Sequence, residues 1–189
     1  MSPANPHGPL LRRLLFGAVV MAVLGWVAWR LIRTPDVAVI DPGAADSAAT
    51  GFRAAKLYFA SPDGDSLVAE TREMIDVQGV HEEVAALVGE LDRGPGSGSA
   101  VATLPAGTSV LHAYLDDRGM LTVDLSRAFQ KGFRGGASSE YLAVSSLVRT
   151  FAANLPDVRR VMIICGGEPL ATLGGHLPLD RPIEVTELP

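Results

Sequence analysis

Cysteine is nearly absent: Cys165 is the only one in 189 residues. That excludes an intrachain disulfide, a cysteine-rich zinc site and a CxxC redox pair. Cys165 closes the apolar run Val161–Cys165 and is expected to be a buried small hydrophobe. Tryptophan is scarce too, with two. Trp26 and Trp29 both lie in the N-terminal apolar segment, so the rest of the chain lacks an indole platform for sugar stacking. The four histidines, His7, His81, His112 and His176, are not spaced with one another, with cysteine or with carboxylates as metal ligands are, and no metal site is expected. The motifs GxSxG, HExxH and the P-loop are missing. The pairs Gly135-Gly136, Gly166-Gly167 and Gly174-Gly175 form no GxGxxG fingerprint, so no cofactor is expected either.

Positive charge is also unevenly supplied. The formal net charge is −5, yet the first 33 residues hold Arg12, Arg13, Arg30 and Arg33 and no acid. The remainder has 12 basic against 21 acidic residues, or −9. Affinity for nucleic acid comes largely from Lys and Arg on phosphates, so a nucleic-acid function is excluded.

What is present begins with an uncharged apolar stretch, Leu14–Trp29, closed by Arg30, Leu31, Ile32 and Arg33. At 1.5 Å per residue the uncharged part spans about 24 Å, and it matches hydrocarbon thickness if Arg30 snorkels. Trp26 and Trp29 sit at one end, where interfacial aromatics belong. A cleaved signal peptide competes with this reading, but it calls for a shorter apolar region followed by small residues. The expectation is a short cytoplasmic tail over 1–13, a single transmembrane anchor over 14–32, a Pro- and Ala-rich linker over 33–52 and an extracytoplasmic domain over 53–189.

Within the domain, Lys56–Ala60 and Leu67–Val77 are expected strands on either side of the turn chemistry of Ser61–Asp65. Val80, Val84, Leu87, Val88 and Leu91 recur at helical period, and Gly94-Pro95 end the helix. Gly94–Thr108 is a long loop. Val110–Leu115 and Met120–Leu125 form a hairpin about Asp116–Gly119, with Leu121, Val123 and Leu125 sharing one face. Ser126–Ser138 follows as a glycine-rich connection. Tyr141, Val144, Val148, Phe151 and Leu155 mark a second amphipathic helix, capped by Ser138 or Ser139. The run Val161–Cys165, stopped at Gly166-Gly167, is expected to be a strand covered on both faces near the middle of the sheet, with Leu170–Leu173 as its hairpin partner. The fold class is therefore α+β: a small, mostly antiparallel sheet with two helices packed on one face, in the order β-β-α-β-β-α-β-β.

Two carboxylates are the only acid/base candidates. Asp124 lies near a strand end, where binding the backbone N–H groups of a following loop is the commoner role. Glu140 lies in a first helical turn, where the helix dipole accounts for it. Both are taken as structural, together with Gly167, Pro169, Gly174 and Gly175. Gly135-Gly136 precede a helix, so their N–H groups could cradle an anion, although turn formation explains them as well. Lys131, Phe133, Arg134, Gly135 and Gly136 combine cationic and aromatic groups in one loop of an acidic domain, and form the candidate contact patch for a partner or ligand.

Several segments together resemble the GerMN domain family of sporulation and spore germination. They are Leu57-Tyr58-Phe59, Leu91-Asp92-Arg93-Gly94-Pro95, Leu104-Pro105-Ala106-Gly107-Thr108, Val123-Asp124-Leu125-Ser126 with Phe129, then Gly135-Gly136 and Glu140. The last are Gly167-Glu168-Pro169, Thr172-Leu173-Gly174-Gly175-His176 and Asp180 with Pro182. The resemblance spans roughly Leu57–Pro182 and implies a small α+β domain similar to ring-building motifs of envelope assemblies, held outside the membrane and without enzymatic activity. Envelope proteins or further copies of the chain are the expected partners, with peptidoglycan contact as a further one. The alternative is a module that binds cell-wall glycan or a small ligand and assists a peptidoglycan hydrolase.

Overall fold

The computed structural model describes Met21, Trp26 and residues 51–96 and 98–188. Apart from Met21 and Trp26, both helical, the expected tail and anchor and the expected linker as far as residue 50 lie outside the described residues. The linker's expected end at 52 is corrected, because Phe52 already pairs with Ile75 in a strand. Among the described residues no helix is long and apolar enough to cross a membrane. The chain divides into two units, Met1–Ala49 and Thr50–Pro189, and the second carries the fold that follows.

Strands β1 (Phe52–Ala60) and β2 (Leu67–Ile75) form a two-stranded antiparallel ribbon. Alternation sends Ala55, Leu57 and Phe59 inward, all fully buried. The turn between them is built on Ser61, whose hydroxyl donates to the Asp65 carboxylate at 2.9 Å. Helix α1 (Val80–Arg93) buries Val84, Leu87, Val88 and Leu91, and Glu82 and Glu83 lie at its positive end. At its negative end Arg72 of β2 donates to the carbonyls of Glu90 and Gly94, pairs with Glu70 and Glu90, and stacks over Phe59. One guanidinium thus ties ribbon to helix.

Strands β3 (Val110–Leu115) and β4 (Met120–Leu125) make the expected hairpin. Asp116 stabilises its turn by accepting the N–H groups of Arg118 and Met120 at 2.9 and 2.7 Å. Gly119 is required there: its φ is 79°, and a Cβ would lie 2.6 Å from the Asp157 carbonyl. Helices α2 (Arg127–Gly132) and α3 (Ala137–Asn154) then cross over to β5 (Arg160–Cys165), which pairs with β4 in parallel. Short strands β6 (Glu168–Pro169) and β7 (Ile183–Glu184) both pair antiparallel with β5.

Several expectations are corrected. There are two sheets rather than one, a ribbon and a five-stranded mixed sheet, and the central β4–β5 pair is parallel because a helical crossover joins it. The connection 126–138 contains α2, anchored by the fully buried Phe129. Leu170–Leu173 is not a strand: pairing stops at Pro169, and Leu170 and Leu173 turn into the core. Strand β5 is central, but only Val161, Ile163 and Cys165 are buried, while Met162 and Ile164 on its other face are half-buried. Helix α3 starts from Gly136, whose carbonyl accepts the Glu140 N–H at 2.9 Å, and no side chain caps it. Rather than one buried stripe, α3 is buried on nearly all sides from Leu142 to Phe151.

The second face of α3 explains why the ribbon is separate. Strand β1 has β2 on one side, so its other edge needs partners. The helix supplies them at four-residue spacing. Ser146 donates to the Tyr58 carbonyl at 2.5 Å, and Thr150 accepts the Tyr58 N–H at 3.2 Å. The Asn154 amide accepts the Lys56 N–H and donates to its carbonyl, at 3.0 and 2.8 Å. Beyond the helix the same edge continues as an isolated antiparallel bridge between Ala60 and Val101.

Candidate functional site

The two acid/base candidates are both occupied by main chain. Asp124 is 6% exposed and accepts the Gly167 N–H at 3.1 Å. Gly166 and Gly167 have φ of 63° and 81°, the signature of a type I′ turn, and Cys165 pairs with Glu168 across it. Asp124 therefore fixes the β5–β6 turn. Glu140 is completely buried. Its two oxygens accept the N–H groups of Leu173 and His176, each at 2.9 Å, and the His176 ring nitrogen Nδ1 lies 3.1 Å away. Burial pushes the Glu140 carboxyl up, but the backbone N–H groups of Gly174, His176, Leu177 and Leu173 outweigh it and hold the group below the usual carboxylate range. The two carboxylates thus secure opposite ends of one segment, 166–177.

Gly174 shows how tightly that segment is seated. A Cβ there would lie 2.8 Å from Phe133 Cε1 and 3.1 Å from Glu140 Oε2. Gly175 instead takes a φ of 97°. Pro169 pairs with Ile164 at the sheet margin. Cys165 packs beneath, its thiol 3.4 Å from the Ser126 carbonyl, and burial reinforced by the nearby Asp124 charge raises its pKa. Burial and a raised pKa both disfavour the thiolate, the reactive form.

The loop patch lies at the end of α2. Lys131, Arg134, Gly135 and Gly136 are exposed, and Phe133 is half-buried. Gly135 is demanded by contact, since a Cβ would meet Ser139 Cβ at 2.5 Å and Phe133 Cζ at 3.2 Å. Gly136 has open space and an ordinary φ of −100°, so nothing in the structure requires glycine there. Arg134 folds back so that Nη1 donates to the carbonyls of Lys131 and Phe133, both at 2.7 Å. Neither Lys131 nor Arg134 forms an ion pair among the described residues.

Sequence reasoning did not find what faces this patch. A groove of about 320 Å³ runs between Phe133–Arg134 and the segment Val101–Pro105, with Ser61 and Gly64 at one end. Gly132 seats the two walls together, since a Cβ there would lie 2.9 Å from Pro105 Cβ. A second depression of about 520 Å³ shares Gly64 and Leu142 with it and extends to His176. Only the LPAGT string marked the far wall in the sequence. His81 and His112 do meet, with ring centroids 6.3 Å apart, but among the described residues no three metal-ligating side chains cluster.

An antiparallel ribbon, a mixed five-stranded sheet and three helices make this an α+β domain. The family described as Germane, sporulation and spore germination, matches residues 56–171, and the chain belongs to it. Three solved structures share the fold. A protein of Clostridium perfringens described as a candidate lipoprotein is 22% identical, with a TM-score of 0.53, over 74% of this chain and 91% of that one. The first GerMN domain of the sporulation protein GerM from Bacillus subtilis is 20% identical, with a TM-score of 0.58, over 70% of this chain and 97% of that one. The tandem GerMN domains of the same protein are 18% identical, with a TM-score of 0.58, over 72% of this chain but only 46% of that one. No curated relative matches the chain.

Proposed function

We propose that this protein is a membrane-tethered, extracytoplasmic interaction module of a bacterial cell-envelope or sporulation assembly, and that it is not catalytic. The observation that carries the reading is the contrast within the site. Asp124 and Glu140 are consumed by the backbone of 166–177, whereas Lys131 and Arg134 stand exposed without an acidic partner among the described residues. Membership in a sporulation and germination family supports the setting. The likeness to a candidate lipoprotein supports a position at the membrane. In this reading 14–32 is a single-pass anchor, 33–51 a spacer, and Lys131, Phe133, Arg134, Gly135 and Gly136 the contact surface. Its partners are envelope proteins or further copies of the chain.

In-cell crosslinking of the full chain, followed by identification of what is attached, tests this. Recovery of a defined envelope protein or of self-adducts is expected. Recovery of glycan with no protein would replace the reading with wall binding.

A further inference from the structure

The groove beside the contact patch has three features that together select one kind of occupant. The first is a fixed cation. With Nη1 of Arg134 committed to two carbonyls, its Nε and Nη2 have no acceptor among the described residues. Those two N–H groups form the side-on edge of the guanidinium, which matches the two oxygens of a carboxylate. The second is an apolar floor, made by Leu104, Leu142 and the half-buried Phe133. The third is unused backbone. The β1 edge continues through Ala60 to Val101 with bonds of 3.0 and 2.8 Å, and the chain then runs on through Ala102, Thr103 and Leu104. Among the described residues the backbone groups of these three make no backbone–backbone hydrogen bond. Val101, 50% exposed, stands at the rim.

Free main-chain donors and acceptors along one wall suit a polypeptide in extended form, which pairs through its own backbone. Sugars bind most often by stacking on exposed aromatic faces, and the only aromatic lining this groove is half-buried against Gly135 and Gly174. The volume is at the lower end of the roughly 300–1,000 Å³ typical of ligand sites, enough for an anchoring side chain and its neighbour. We propose that this groove receives a short extended peptide carrying a carboxylate next to an apolar side chain, with the carboxylate seated on Arg134 and the apolar group on Leu104 and Leu142. The proposal rests on the reading of 131–136 as a contact surface and adds the chemistry of what it contacts.

The test uses the full chain in mild detergent, immobilised, and two heptapeptide pools acetylated and amidated at their ends. The central residue is Asp in one pool and Asn in the other, flanked in both by Val, Ile or Leu. Retention of the Asp pool about tenfold or more above the Asn pool is expected, as befits one charge-assisted pair. Arg134→Gln should abolish the preference, Arg134→Lys should restore only part of it, and Arg118→Gln on the β3–β4 turn should leave it intact. Equal retention of the pools, or a preference that survives Arg134→Gln, overturns the proposal. So does co-sedimentation with isolated peptidoglycan that depends on Arg134 while the Asp pool is ignored, because the carboxylate would then belong to the wall. In-cell crosslinking separates the two levels. If Arg134→Gln leaves a protein adduct unchanged and both pools fail, the interaction module stands and this groove falls; if no protein adduct forms at all, both fall.

Discussion

Helix α3 holds two stretches of backbone that lack regular partners, and it uses different chemistry for each. Along its length, Ser146, Thr150 and Asn154 satisfy the edge of β1 with neutral groups. At its N-terminal turn, a single buried charge, Glu140, holds Leu173 and His176. The neutral arrangement spreads its bonds over three side chains, so each loss is local and independent of pH. The charged arrangement concentrates its bonds in one group, because a carboxylate accepts from several donors at once and its hydrogen bonds are stronger than neutral ones. The segment 170–182 is otherwise poor in regular structure, so that one residue fastens two of its backbone N–H groups.

Removing the charge should therefore give the largest effect. Glu140→Ala strands buried N–H groups and is expected to cost about 2–4 kcal/mol in denaturant unfolding, with protease sensitivity concentrated in 166–177. The same group makes the domain pH-sensitive. Its folded-state pKa lies below the ordinary value of 4.5, so its contribution is complete above that pH and is lost as pH falls through the lower folded value. Acid titration of unfolding should show this slope in the natural chain and a reduced slope in Glu140→Gln. Gly174→Ala comes next. The added methyl meets Phe133 and the Glu140 carboxylate, and overpacking of this kind costs about 1–3 kcal/mol. On the neutral side, Thr150→Val keeps the shape but turns a methyl to the Tyr58 N–H, for about 1–2 kcal/mol with no change in the acid slope. If the acid slope vanished in Thr150→Val, the division between neutral and charged fastening would be wrong. The smallest effect belongs to His176→Ala, since the ring is half in solvent and the backbone N–H stays; about 0–1 kcal/mol is expected.

The parts legible in the sequence were those with local causes. The β3–β4 hairpin followed from alternation and the turn residues Asp116–Gly119, and α1 from its period and its terminal glycine. What could not be read depended on distant partners. Ser146, Thr150 and Asn154 share a helical face, but a polar stripe ordinarily means solvent, and nothing local tells that a strand edge lies there. Strand β5 was visible as an apolar run, whereas its parallel pairing with β4 follows from the crossover that separates them. The segment 170–173 had the apolar content of a strand, but a buried carboxylate from another element took the N–H of Leu173, and Leu170 and Leu173 turned into the core. The loop 131–136 stood out by composition. The groove did not, since its walls come from three separate parts of the chain.

The fastening of β1 by α3 also sets an order of assembly. Lys56 waits for Asn154, its partner 98 residues further along the chain. A polypeptide that emerges N-terminus first thus presents the β1–β2 ribbon with one edge open until most of the domain has appeared. Closing so long a loop before its contacts reward it is slow. The interval during which this edge is exposed to other chains is therefore governed by how soon α3 arrives, not by how stable the finished domain becomes.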